Sequence, residues 1–203
     1  MINFDIVFKG GAMTKIAEAL SGRRSYYQIH KEIPVSPAQV EETVKELTEL
    51  VPDAFDMKSS RVVLLMREAH DDFWNLVYDC FGGKVAREKT DSFKAGAGTI
   101  LYFYDEKVVE KMQETYPSYA ENFPVWANQS SGMLQLSLWT ALHELGIGAT
   151  VQHYNPVIDE AVRKRFDLPG HYKMVAQMPF GGIAEEPEPK KKEDISLRVQ
   201  VIS

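Results

Sequence analysis

The chain has little of what oxidation, membranes or polyanions require. A single cysteine, Cys80, stands among its 203 residues, so no intrachain disulfide forms and no metal site built on several thiolates is possible. A basic surplus is missing too: 23 Lys and Arg face 29 Asp and Glu, for a formal charge of -6. That balance argues against general attraction to nucleic acid or anionic lipid, and no nucleic-acid partner is expected. No apolar run is long enough to span a bilayer, and Met1-Ile2-Asn3-Phe4-Asp5 lacks the basic start of a signal peptide. A protein of the reducing cytoplasm, apart from the membrane, is the expectation.

Several catalytic motifs begin and then fail. His143-Glu144 opens like a zinc-hydrolase helix, but the ligand due one turn later is Ile147, so no metal site is expected. Gly146-Ile147-Gly148 lacks the third glycine of a dinucleotide fingerprint and sits after a helix and before a strand, the reverse of the required order. Ala95-Gly96-Ala97-Gly98 has no Lys-Ser/Thr ending for a P-loop, and Gly-x-Ser-x-Gly is absent.

What remains is an alternation of helices and strands in one domain, residues 1–203, with no internal repeat. Ser36-Pro37-Ala38-Gln39 reads as a capping box with Pro at the first helical position, and Val40, Val44 and Leu47 follow at helical spacing until Pro52. Ser60–Met66 is a β-branched apolar run expected as a buried strand. A helix over 68–80 should stop at Gly82-Gly83, and a strand over Gly98–Tyr104 leads into a helix from Asp105 to about Tyr116. Residues 119–145 predict the longest helix, apolar on nearly every face and closed by Gly146. Strands are expected at Ala149–Gln152 and Met174–Phe180, with a helix near 157–166 between them. Ile195–Ile202 alternates strictly and predicts a last strand beyond the charged loop Glu185–Glu193.

Gly22-Arg23-Arg24-Ser25-Tyr26-Tyr27 is the densest chemical feature. Adjacent guanidiniums present forked donors that match phosphate oxygens, and Ser25 adds a hydroxyl. Taken alone, the pair reads rather as a cap for the carbonyls of a preceding helix than as an anion clamp.

Two further segments change that balance: Val51-Pro52-Asp53-Ala54-Phe55-Asp56-Met57-Lys58-Ser59-Ser60-Arg61-Val62-Val63, and Glu144-Leu145-Gly146-Ile147-Gly148-Ala149-Thr150-Val151-Gln152-His153-Tyr154-Asn155-Pro156. In this order and spacing the chain resembles the FMN-dependent nitroreductase family, within it the short branch of fatty-acid-repression-mutant proteins. The resemblance implies an α+β fold, a mostly antiparallel central sheet flanked by helices, and a homodimer that exchanges its C-terminal strand and holds FMN at the interface. It places Arg23, Arg24 and Ser25 at the phosphate and ribityl chain, with Tyr27 where a basic residue often meets the flavin. Pro52, Asp53, Ala54, Phe55, Asp56 and Lys58 fall in the segment that the opposite subunit lays against the ring, although family members usually carry Asn-Ser-Gln where this chain has Asp56, Met57 and Lys58. Gln152, His153 and Tyr154 match the loop whose amide faces flavin N5, and Arg198 a basic residue that closes on the phosphate. Lys94 and Lys192 are further charges near these segments.

The implied activity is an NADH- or NADPH-dependent oxidoreductase with a ping-pong cycle and a small aromatic acceptor, nitroaromatic or quinone-like. Asp56 keeps open an alternative, a flavin-binding regulatory or storage protein with little turnover; remodelling of the flavin itself ranks behind both.

Overall fold

A computed structural model describes residues 13–189 and 193–202; Lys192 and the N-terminal residues 1–12 lie outside the described residues. The elements run α1 (Lys15–Gly22), β1 (Ile29–His30), α2 (Pro37–Leu50), β2 (Ser60–Met66), α3 (Glu68–Phe81), α4 (Arg87–Lys94), β3 (Gly98–Asp105), α5 (Glu106–Thr115), α6 (Phe123–Glu144), β4 (Gly148–Ala149), α7 (Asp159–Arg165) and β5 (Tyr172–Ile183). Short 3-10 turns occupy Ala54–Asp56, Pro117–Asn122 and Ile195–Leu197.

The strands pair antiparallel in the order β1-β5-β3-β2, and β4 joins the end of β5. Every residue of β3 is buried, because helices cover both faces of the sheet. Its alternation divides the core: Ile100 and Tyr102 pack with Val40, Leu134 and Leu138 of α2 and α6. Leu101 and Phe103 pack with Phe73, Trp74, Phe93 and Val162 of α3, α4 and α7 on the other side. A period of two on one strand therefore builds two apolar layers.

Local signals did what their chemistry requires. Ser36 Oγ accepts from Gln39 N at 3.2 Å with Pro37 in the first turn of α2, and Gly82, left-handed at φ 54°, ends α3. The sheet is antiparallel and the fold α+β, as expected from the resemblance.

Four expectations need correction. Among the described residues β2 is an edge strand with one neighbour, and only Leu65 of its seven residues is buried. The long helix begins at Phe123 behind a 3-10 turn, and it exposes Val125, Met133 and Leu136 along one side. The strand expected over Ala149–Gln152 is reduced to Gly148–Ala149 plus a single bridge between Gln152 and Gln177. Ile195–Ile202 forms no strand: residues 195–197 make a 3-10 turn and the rest is irregular. A strand satisfies its backbone only beside another, and in a single chain this segment meets none, leaving Leu197 82 % and Val201 85 % exposed.

Candidate functional site

The Arg23-Arg24-Ser25 segment leaves the end of α1 and runs beside β4, where Ser25 bridges Ala149 in parallel and Tyr26 N donates to Ala149 O at 3.1 Å. The turn is tight: a Cβ on Gly22 would stand 2.4 Å from His143 Nε2. Arg23 lays its guanidinium 3.9 Å above the Trp139 ring of α6, and Trp139 Nε1 donates to the same Ala149 carbonyl at 2.9 Å. Here the guanidinium does not cap α1. Its Nε and one terminal nitrogen are buried without a partner, as is Arg24 Nε, while the other end of Arg24 donates to the Glu188 carbonyl. Burial first, then the neighbouring Arg24 charge, pulls the Arg23 pKa below its ordinary value, yet a guanidinium remains charged. Buried cationic donors without acceptors are what an incoming oxyanion satisfies.

On the same side, the loop at 150–155 is held by Gln177 of β5, which no sequence motif singled out. Gln177 O accepts from Gln152 N at 2.7 Å and Gln177 N donates to Gln152 O at 2.9 Å. Its side chain accepts from Tyr154 N at 2.8 Å and donates to Asn155 Oδ1 at 3.2 Å. Gln152 and Tyr154 are thereby buried and His153 between them is exposed. Among the described residues the His153 backbone N–H has no hydrogen-bond partner, so this amide stands free between two committed ones, those of Gln152 and Tyr154. The Tyr154 hydroxyl is also buried without a partner, and burial raises its pKa.

The third segment forms an arch between α2 and β2. Phe55, Asp56 and Lys58 have φ of 54°, 50° and 52°, a conformation that costs residues with a Cβ on the order of 1 kcal/mol each. Asp53 ties the arch shut. Its Oδ1 accepts from Ala54 N at 2.8 Å and from the Ser130 hydroxyl of α6 at 2.6 Å. Its Oδ2 accepts from Ser59 N and Oγ at 2.7 and 2.6 Å. Met57 is buried beneath the arch with Tyr104 and Phe123. Phe55, half exposed, lies among Tyr116, Tyr119, Phe123 and Trp126 and stacks on Trp126 at 5.7 Å. Lys58 pairs with Glu49 at 3.2 Å, an exposed contact that raises the lysine pKa. A cleft of about 210 Å³ opens here, lined by Glu49, Asp53, Asp56, Lys58, Ser60 and Arg61 among others.

The structure brings Arg23, Arg24 and Ser25 together with the 150–155 loop through β4, and it separates both from the arch. Arg23 meets α6 at Trp139 and Asp53 meets it at Ser130. Nine residues of α-helix amount to about 13 Å of rise and a half-turn offset, so the two groups attach to opposite sides of α6. Tyr27 is half exposed, 6.4 Å from the Phe93 ring; Pro52 is exposed and Ala54 half-buried. Lys94 donates to Asn75 at 2.9 Å. Arg198 lies on the exposed terminal segment and makes no contact with the arginine cluster among the described residues. No group of three or more metal-ligating side chains, and no helix long and apolar enough to cross a membrane, occurs among the described residues.

Comparison with known proteins gives a consistent picture. The Nitroreductase family pattern matches residues 20–182. Nitroreductase FRM2 of Saccharomyces cerevisiae is 32% identical over 85% of this chain and 90% of its own length. Nitroreductase CinD of Lactococcus lactis, solved in complex with chloramphenicol, superposes with a TM-score of 0.88 at 39% identity, covering 93% of this chain and 100% of CinD; CinD has also been solved with 4-nitrophenol. At 17% identity, a Desulfovibrio desulfuricans protein solved in complex with FMN shares the fold, with a TM-score of 0.71 over 95% of this chain and 99% of its own.

Proposed function

The chain belongs to the nitroreductase family, and from that premise we propose that it is an FMN-dependent oxidoreductase whose site is completed by a second copy of the chain. The observation that carries this reading is the set of unpartnered, buried guanidinium nitrogens at Arg23 and Arg24. They fit a phosphate monoester: two fixed cations, the Ser25 hydroxyl beside them, and, among the described residues, no carboxylate side chain paired with Arg23. Bound FMN would supply hydride exchange at flavin N5, from NADH or NADPH and on to a nitroaromatic or quinone-like acceptor.

This chain's residues have the remaining tasks. Arg23, held flat on Trp139, and Arg24 bind the phosphate. The His153 amide, fixed by its neighbours' bonds to Gln177, is the donor for the flavin edge, and a preorganised donor costs no reorganisation when charge develops. The arch of a second copy, with Phe55, Asp56 and Lys58 at its crest, covers the ring and shields it from water. Two copies are invoked because one chain sets the arginine cluster and the arch on opposite sides of α6. The exposed Val125, Met133 and Leu136 of α6 and the exposed apolar alternation of 195–202 offer apolar area for that contact. The relatives' complexes with 4-nitrophenol and FMN support the same acceptor class and cofactor.

The absorption spectrum of the purified protein, before and after anaerobic NADH, tests the proposal. A flavin band that bleaches on NADH addition, from a protein sedimenting as a dimer, is expected. A colourless protein that takes up no added FMN overturns the reading. FMN binding with no turnover on quinone or nitro acceptors favours the storage alternative that Asp56 leaves open.

A further inference from the structure

We infer that Asp53 is a positioning residue: without touching the flavin, its carboxylate closes the arch and so sets the left-handed backbone that presents Phe55, Asp56 and Lys58 to it. The inference rests on the FMN reading above, but assigns Asp53 a different part from its neighbours. A carboxylate accepts about four hydrogen bonds, and Asp53 already receives four, from Ala54 N, Ser59 N, Ser59 Oγ and Ser130 Oγ. Nothing is left on it for a ligand. Those four donors lie at the two ends of the arch and on α6, so one side chain fixes the width of the arch and its position on the helix.

The backbone needs such a closure. Non-glycine residues with positive φ among the described residues are Phe55, Asp56, Lys58, Arg67 and Asp167, and three of these five fall within four positions of the arch. The other bonds inside it, Asp56 N to Asp53 O at 3.0 Å and Met57 N to Ala54 O at 3.1 Å, are those of any tight turn and do not select the left-handed form. Strained backbone persists only where its surroundings over-determine it. Ser59 is fully buried and Ser130 3 % exposed, so without Asp53 their donors would be orphaned and the arch would relax to find water. An amide does not replace the carboxylate: whichever way asparagine turns, its NH2 faces a backbone N–H, that of Ser59 or that of Ala54, donor against donor.

The test compares wild type with Asp53→Asn, Asp53→Ala, Ser130→Ala and Ser130→Thr in the full chain, by two readouts. Hydrogen exchange at residues 54–59 is followed without added flavin, and FMN affinity is titrated by fluorescence with the visible spectrum of the bound form. Asp53→Asn is expected to speed exchange in the arch while α6 and β5 keep wild-type protection, and to weaken FMN by about tenfold or more, the scale of hydrogen bonds to a charged group. Ser130→Ala, which removes one of the four bonds, should weaken it by about threefold, and Ser130→Thr, which keeps the hydroxyl, should restore it. Asp53→Asn that binds FMN within twofold of wild type with an unchanged spectrum overturns the inference, even if its melting temperature falls, since that is a purely structural role. Should Asp53→Ala fail to fold, the other variants decide. If wild type takes up no FMN, the flavin reading falls on its own, and unchanged exchange in Asp53→Asn then overturns the closure as well.

Discussion

The arch at 53–59 and the loop at 150–155 are both short connections that the proposed function sets against a ligand, and they are held by opposite means. The arch is strained, with three left-handed residues closed by a single charged side chain at its margin. The loop contains no positive φ and is held by four bonds to one neutral, fully buried residue, Gln177. Strain allows a few residues to project sharply, as Phe55 does, but makes the shape depend on one carboxylate. Pairing against a central strand gives no such projection, and it holds the exposed His153 amide between two bonded neighbours. In the proposed function a flat ring between two copies of the chain would use both, a cover from one and a fixed donor from the other.

The contrast breaks most sharply at Gln177. Replacing it with Leu leaves Tyr154 N and the Asn155 side chain without partners in a dry site, so denaturant unfolding should show a loss of roughly 3–4 kcal/mol, with exchange rising through 150–155 and not in the arch. Equal loosening of both loops would show them to be one unit.

Acid acts beneath both. His70 is 1 % exposed, with Nδ1 on the Thr99 hydroxyl at 2.8 Å and Nε2 on the Lys94 carbonyl at 3.2 Å. The Lys94 carbonyl can only accept, so Nε2 carries the ring proton; in the neutral ring Nδ1 then accepts from the Thr99 hydroxyl, whose oxygen accepts in turn from Trp74 Nε1 at 2.9 Å. Burial pulls the His70 pKa down from 6.5 to about 4. The unfolded chain therefore binds the extra proton first: stability is full above about pH 6.5 and falls by about 3 kcal/mol as pH drops towards 4. A pH series of urea midpoints should show this slope, and His70→Asn should flatten it; near pH 5 the exchange contrast between the loops should shrink as global opening approaches local opening.

Arg23→Ala separates the ligand from the fold. It removes a charge-assisted contact to phosphate and should weaken FMN by about 30-fold, with a melting temperature changed by only a few degrees because Trp139 keeps its bond to Ala149. Parallel losses of stability and affinity would return Arg23 to a packing role.

The smallest effect is the most direct reading of strain. Asp56→Gly at φ 50° should stabilise the chain by about 0.5 kcal/mol, and His153→Gly, at an ordinary φ, should destabilise it by about as much. The same sign at both sites would remove the difference in backbone that the comparison rests on.

How far the chain was readable follows the range of each interaction. α2 and α3 were legible because Ser36 with Pro37, and Gly82, act on groups within four residues. α4 was not: Arg87–Lys94 is polar and buries only Thr90 and Phe93, so no apolar stripe announces it. The 195–202 segment carries a strand's alternation without a neighbour to complete it. At the candidate site, the residues proposed to bind come from the resemblance, whereas the residues that support them are hidden in the sequence. In the sequence Trp139 is one more apolar position on α6 and Ser130 one small residue in a helix, and only the fold brings Arg23 and Asp53 to them. Gln177 did leave a trace, a lone amide in the apolar run Met174–Phe180, since a polar side chain in a buried strand must be satisfied by something.

The sequence by itself determined where helices start and stop, which face of β3 each side chain takes, and that two adjacent guanidiniums were available for an anion. Each depends on covalent neighbours and on periods of 2 or 3.6 residues. Only the tertiary structure decided that Arg23 would lie bare on Trp139, that Asp53 would have all its acceptors occupied, and that the His153 amide would stand free between two bonded ones. Those outcomes depend on whether a buried polar group finds a partner, and the partners lie 77 residues away for Asp53 with Ser130 and 23 for Tyr154 with Gln177, distances over which only folding brings groups together.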